Sequence, residues 1–432
     1  MSATDLPALA DPLPIRPFNG PVDAVVRPPG SKSLTNRALV LAALADGTTV
    51  LDNVLDSDDT RHMRVGLQAM GVACSPGAVA RQLIVEGGLD RLRSPAAPVF
   101  VGNSGTTVRF LAALAALLPG TTTLVGDAHM AQRPIADLVE GLRQLGVTVE
   151  CPTGCPPLTV HGGGVQAGRV RMRGDRSSQY FSALLLVAGL GPGDLTIEIE
   201  GTLVSRPYVD MTRAMVAAFG GRIDETPTGF VARKVPRYTG TRLHIEPDAS
   251  AASYPFALAA AGRHAITVEG LDGKSLQGDT GFVDILSRMG ALAEMQDGRT
   301  RVTGTDRLVG VDVDMHHISD TVMTLAAIAP LAAGPTTIRN VANIRLKETD
   351  RLAAVVTELR RLGQQVEHGD DWLRVTPRPL SPAVVECYGD HRIAMSFAVL
   401  GAIAGGVEIA DPAAAAKTYP GFWDDLAAFG RS

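Results

Sequence analysis

Six stretches of the chain are apolar at almost every position: RALVLAALA (37–45), RFLAALAALL (109–118), FSALLLVAGL (181–190), PFALAAAG (255–262), MTLAAIAPLAA (323–333) and MSFAVLGAIAG (395–405). A helix with no polar face has to run through an interior, so each stretch predicts a buried helix with sheet packed round it. Between them lie amphipathic helical patterns that end in Leu, Met or Phe followed by Gly, as at Met70-Gly71, Leu145-Gly146, Phe219-Gly220, Met289-Gly290, Leu362-Gly363 and Phe429-Gly430. Glycine there supplies the left-handed residue that ends a helix. Short alternating runs such as QLIVEG, RTRVTG and DWLRVTP read as hairpin strands. A Gly followed by a Thr- or Val-rich strand recurs at Gly47, Gly120, Gly193, Gly262, Gly334 and Gly405, in steps of 69 to 73 residues. The pattern predicts six copies of one α/β (α+β) unit, grouped as two domains of three.

The residues just before the buried helices are of one chemical kind: SKSLTNR (31–37), NSGTTVR (103–109), RSSQY (176–180), DASAAS (248–253), ISDT (318–321) and GDHR (389–392). Ser, Thr, Asp and Asn are expected there as N-caps. Lys32, Arg37, Arg109, Arg176 and Arg392 are not, because a cation opposes the positive end of the helix dipole. Cations gathered at helix starts fit a site for phosphate and carboxylate groups. Outside these segments, Arg133 precedes a Pro suited to a first helical position. Lys347 and Arg351 are spaced as neighbours on one helical face, where an intrahelical Glu–Lys pair is the plain alternative. Asp320 and Glu348 are the acid/base candidates, with simple N-capping the plain alternative for Asp320.

Composition narrows the class. The 432 residues carry a net charge of −5, which speaks against a broad nucleic-acid surface. No apolar run reaches the roughly 18 residues of a membrane span. Four Cys are too few for a disulfide framework at this length and suit a reducing cytoplasm. The first eighteen residues, MSATDLPALADPLPIRPF, read as a Pro-rich tail leading into a strand, without the pattern of a secretory signal. Only five of the forty basic residues are Lys: 32, 234, 274, 347 and 417. Where Arg is the default cation, a Lys marks a place that wants a compact charge able to give up a proton. Cys151 and Cys155 have no companions for zinc, and the Gly162–Gly164 run opens no helix, so no metal or cofactor is expected.

In chain order, PPGSKSLTNRALVLAALADGTT, GNSGTTVRF, RSSQYFSALL, DASAASYPFALAAA, NIRLKETDRL, GDHRIAMSFAV and KTYPGFW closely resemble the EPSP synthase (3-phosphoshikimate 1-carboxyvinyltransferase) family of the shikimate pathway. The resemblance implies two similar domains, each an inverted α/β barrel of three βαβαββ-type units. With two chain crossings, near Pro28–Gly30 and Glu246–Asp248, the domains would be 30–246, on the shikimate 3-phosphate side, and 1–29 plus 247–432, with the acid/base residues. It implies a metal- and cofactor-free cytoplasmic transferase of aromatic amino-acid (chorismate) biosynthesis, a monomer that binds neither nucleic acid nor membrane. The implied reaction moves the carboxyvinyl group of phosphoenolpyruvate to the 5-hydroxyl of shikimate 3-phosphate, through a tetrahedral intermediate, and releases phosphate.

By the same resemblance Lys32, Ser33, Arg37, Ser177, Ser178, Gln179, Ser205, Asp320, Asn343 and Lys347 would meet shikimate 3-phosphate. Lys32, Gly105, Arg133, Gln179, Arg351, Arg392 and Lys417 would hold phosphoenolpyruvate. Asp320 would act as base and Glu348 as proton donor with Lys32, while Asn103, Tyr208, Asp390 and His391 are lesser candidates. Phe110 stands where the family usually has Pro, and Ser104 replaces Ala. Gly105 matches the members inhibited by glyphosate. The related carboxyvinyltransferase of UDP-N-acetylglucosamine carries a Cys ahead of an ARP motif, whereas the matching residues Gly126–Pro134 contain none. A silent anion-binding homologue would have lost Asp320, Glu348 or Lys32, and all three are present.

Overall fold

The computed structural model describes residues 9–430. The chain forms two compact units. One consists of Pro29–Asp248 with Ser275–Gly278, and the other of the chain up to Pro28, Ala249–Lys274 and the chain from Asp279 onward. The four-residue excursion Ser275–Gly278 was not foreseen from the sequence. Its cause is the Glu246 carboxylate, which accepts from Ser275 Oγ (2.6 Å), Leu276 N (3.1 Å) and Gln277 Nε2 (3.0 Å).

In the 29–248 unit, apolar helices alternate along the chain with amphipathic ones: α1 (Lys32–Leu44), α2 (Asp58–Ala69), α3 (Gly105–Ala115), α4 (Ala136–Gln144), α5 (Ser178–Ala188) and α6 (Pro207–Ala218). The odd-numbered helices are the apolar stretches. Every residue of α3, and all of α1 from Leu34 to Leu44, is buried. The other unit repeats the alternation with α7 (Ala249–Gly262), α8 (Phe282–Arg288), α9 (Val322–Ile328), α10 (Arg351–Arg361), α11 (His391–Ala404) and α12 (Phe422–Phe429). Helix α9 is shorter than its apolar run: Pro330 has no N–H to give to a carbonyl one turn back, and the chain tightens into a 3₁₀ turn at Ala329–Leu331.

The sheets repeat as the helices do. Gly168–Arg173 pairs parallel with Leu195–Glu200, which pairs antiparallel with Gly229–Arg233, itself antiparallel to Arg222–Thr226. The same order occurs around Gly120–Val125, Ala265–Glu269 and Thr336–Arg339. The strand ahead of each apolar helix was not singled out in the sequence. At α3, α5, α9 and α11 it makes a β–helix–β crossover with the parallel strand that follows the helix, whereas at α1 and α7 the partners are exchanged: Asp23–Val26 pairs parallel with Ala265–Glu269, and Arg242–His244 with Ala45–Asp52. The last sheet is completed from the other end of the chain: Leu13–Ile15 pairs antiparallel with Val407–Ile409. The expected tail therefore contributes a strand there, while its first eight residues lie outside the described part.

Candidate active site

In each unit charged and polar side chains collect at and around helix starts. In the 29–248 unit, Ser31 caps α1 by accepting from Leu34 N (3.4 Å), and Lys32 follows as its first residue. The Lys32 backbone N–H donates to Asp248 (3.0 Å), and its ammonium lies 3.5 Å from Asp59. One turn further, Arg37 is buried, 2 % exposed, and its hydrogen bonds go to neutral oxygens: Thr212 Oγ1 (2.7 Å), Ser182 Oγ (3.0 Å), Tyr208 O (3.0 Å) and Ser33 O (2.9 Å). Phe110 lies under the guanidinium, 5.4 Å from ring centre to Cζ. Burial lowers the Arg37 pKa to about 10. A charge held by dipoles and a ring face, without a carboxylate among these partners, is poised to gain from an arriving anion.

The second group of this unit surrounds the start of α3. Ser104 caps it, accepting from Thr107 N. A Cβ on Gly105 would lie 2.5 Å from Arg133 Nη2 and 2.7 Å from Arg109 Nη1, so the missing side chain is what lets two guanidinium groups approach the helix start. Arg133 donates to Asn103 O (2.9 Å) and Oδ1 (3.1 Å). Arg109 donates to Gln179 Oε1 and to Pro134 O (3.2 Å), and sits over the Tyr180 ring at 5.3 Å. Gln179 follows Ser178 in the first turn of α5, where Ser177 is the cap. Ser205 takes the left-handed conformation (φ +50°) and its carbonyl accepts from Tyr208 N, the residue whose own carbonyl receives Arg37.

The other unit builds a denser, mixed-sign cluster round Arg351, the first residue of α10, 1 % exposed. Its guanidinium donates to Asp390 (2.7 Å), Glu348 (2.7 Å) and Asp320 (3.2 Å). Burial opposes its charge, but Asp390, Glu348 and Asp320 together outweigh that and hold it protonated. Asp320 also receives Arg392 (2.8 Å) and lies 3.4 Å from the Lys347 ammonium. Glu348 lies 3.3 Å from Lys417. Burial pushes the Lys347 pKa below the ordinary lysine value, with Asp320 resisting. Asn343 donates to Ser319 Oγ (3.0 Å), beside Asp320 in the chain.

Four readings of the sequence are corrected here. Lys347 and Arg351 do not share a helical face, because Ala342–Leu346 is a 3₁₀ turn, Lys347 ends it, and α10 begins only at Arg351. Asp320 is not the N-cap: it lies inside the 3₁₀ turn Ser319–Thr321, Thr321 holds the cap position of α9, and the Asp320 carboxylate faces three cations instead. Pro134 is not the first residue of α4, which starts at Ala136; its carbonyl serves Arg109 and the Tyr180 hydroxyl (2.7 Å). Arg176 turns outward toward Asp137 at 3.8 Å, its side chain 42 % exposed. The sequence reading also overlooked Asp59, Ser182 and Thr212, the partners of Lys32 and Arg37. All three sit in the middle or first turn of helices, where Ser, Thr and Asp pass for caps or for exposed positions.

The comparisons agree with one another. A family model described as EPSP synthase (3-phosphoshikimate 1-carboxyvinyltransferase) matches residues 18–426. The 3-phosphoshikimate 1-carboxyvinyltransferase of Nostoc punctiforme is 44% identical over 416 residues, which is 96% of this chain and 98% of the relative. That of Klebsiella pneumoniae is 44% identical over 412 residues, covering 94% of this chain and 96% of the relative. Among solved structures, EPSP synthase from Acinetobacter baumannii superposes with a TM-score of 0.80 at 24% identity, covering 96% of this chain and 97% of that one, which shows likeness of fold.

Proposed function

The chain belongs to the EPSP synthase family, and from that premise we propose that its two charged clusters hold shikimate 3-phosphate and phosphoenolpyruvate and transfer the carboxyvinyl group between them. The observation that supports this best is the cluster round Arg351, where two carboxylates apart from the Asp390 cap, Asp320 and Glu348, each face cations on more than one side. The reaction needs such a pair. One group takes the proton of the attacking hydroxyl, another delivers a proton to the methylene carbon, and fixed cations balance two phosphates and two carboxylates.

Lys32, Ser33, Arg37, Ser177, Ser178, Gln179, Ser205, Asn343 and Lys347 bind shikimate 3-phosphate. Gly105, Arg133, Arg351, Arg392 and Lys417 bind phosphoenolpyruvate, with Lys32 and Gln179 meeting both. Asp320, surrounded by Lys347, Arg351 and Arg392, works as a carboxylate base on the 5-hydroxyl. Oxygen then adds to C2 of phosphoenolpyruvate while C3 takes a proton from Glu348, with Lys417 3.3 Å from Glu348 as the adjoining proton source and Lys32 assisting. In the tetrahedral intermediate that results, loss of the C3 proton and departure of phosphate restore the double bond. No metal or organic cofactor enters this scheme.

Incubation with both substrates in deuterium oxide tests it. The expected product has the mass of the carboxyvinyl adduct and carries deuterium in the vinyl methylene, because C3 becomes a methyl group on the way. Shikimate 3-phosphate recovered unchanged would overturn the assignment, and an adduct without deuterium would overturn the addition–elimination route.

A further inference from the structure

Helix α10 contributes a second buried group two turns beyond Arg351. Glu358 is completely buried, and at a separation of seven residues it lies on the same face of the helix as Arg351. Both of its oxygens hold the segment that leads into α11. Oε1 accepts from the Tyr388 hydroxyl at 2.6 Å, and Oε2 accepts from the Glu386 backbone N–H at 3.2 Å. Arg361 stands 3.4 Å from Oε2, its side chain 39% exposed, and also donates to Val384 O (3.0 Å). Next to this contact the chain makes an unusual turn. Tyr388 (φ +55°) and Gly389 (φ +63°) are both left-handed. A bulky side chain seldom accepts that conformation, so something outside the backbone must hold it. Directly after the turn comes Asp390, fully buried, which caps α11 through Arg392 N (2.9 Å) and receives Arg351 Nε (2.7 Å). The 386–390 segment is thus fastened to one helix at two levels, Glu358 at one end and Arg351 at the other.

We propose that Glu358 and Tyr388 are a positioning pair which, by fixing the left-handed 388–389 turn, sets Asp390 and through it the guanidinium groups of Arg351 and Arg392. Neither residue meets substrate. Their effect falls on the two arginines assigned to phosphoenolpyruvate, so the inference rests on the functional reading above. Without the hydroxyl anchor the turn can relax toward negative φ, Asp390 shifts, and Arg351 and Arg392 lose the geometry that two-point contact with a carboxylate or phosphate requires.

The test is steady-state kinetics with thermal melting on Tyr388→Phe, Glu358→Gln and the double variant, beside wild type. Tyr388→Phe should raise KM for phosphoenolpyruvate by about tenfold while KM for shikimate 3-phosphate stays within about twofold. Tyr388→Phe also leaves a buried carboxylate oxygen unpaired. Adding Glu358→Gln removes that charge, so the double variant should regain thermal stability with KM for phosphoenolpyruvate still raised. An unchanged KM in Tyr388→Phe would overturn the proposal, and so would KM values for both substrates that rise and recover in step with Tm, the mark of a merely structural contact. A wild type without turnover would overturn the functional reading and this proposal with it, whereas an active wild type beside an unaffected Tyr388→Phe rejects the proposal alone.

Discussion

Gly105 and Asp320, one in each unit, show most clearly what a single position is expected to decide. Gly105 has no Cβ, and the room this leaves is occupied by Arg133 and Arg109. Gly105→Ala should push the guanidinium of Arg133 off the helix start, raising KM for phosphoenolpyruvate by roughly tenfold and raising the inhibition constant for glyphosate further still. Equal inhibition constants for wild type and variant would reject the steric argument. Asp320 acts in the opposite sense. Because its carboxylate is set among Lys347, Arg351 and Arg392, Asp320→Ala removes the proposed base and leaves three cations facing each other. Turnover should fall by about 10²- to 10⁴-fold, with KM for the anionic substrates unchanged or lower. A parallel rise in KM would mean that Asp320 organises the cluster and is not the base. Lys347 gives a pH signature. Burial lowers its pKa, so as pH rises its charge is lost earlier than that of an exposed lysine. KM for shikimate 3-phosphate should therefore climb on an alkaline limb placed below the usual lysine range, and Lys347→Arg should move that limb upward. A limb at the same pH in both proteins would assign it to another group.

At the scale of helices, the sequence was most legible where physics leaves least choice. An apolar helix has one place to go, so the six buried helices and their polar starts could be located from pattern alone. Short elements were harder. The 3₁₀ turn 342–346 and the cap Asp350 were invisible to periodicity, and the expected Lys347–Arg351 helix face failed for that reason. Partners of the site residues were equally hidden, because Thr212 and Ser182 meet Arg37 only after helices 145 to 175 residues apart along the chain are packed together. That packing is testable. Thr212→Val leaves the Arg37 Nε–H without its acceptor in a buried position and should cost about 1–3 kcal/mol of stability, seen as a lower Tm and a weaker hold on shikimate 3-phosphate. A variant that melts with wild type would show that Ser182 and the Tyr208 and Ser33 carbonyls hold Arg37 without Thr212.

Over the whole chain, six repeats yield two units whose clusters differ in character. The 29–248 unit offers cations held largely by hydroxyls, carbonyls and ring faces, well suited to binding anions. The other unit interleaves acids with bases, as proton transfer requires. Family membership assigns the chemistry to one pair of anionic metabolites, and the most direct test is phosphate release from phosphoenolpyruvate measured with and without shikimate 3-phosphate. Release that depends strictly on shikimate 3-phosphate, and that is lost both in Lys32→Met and in Asp320→Ala, is the expected result. Release without shikimate 3-phosphate, or none when both substrates are supplied to the wild-type protein, would contradict it.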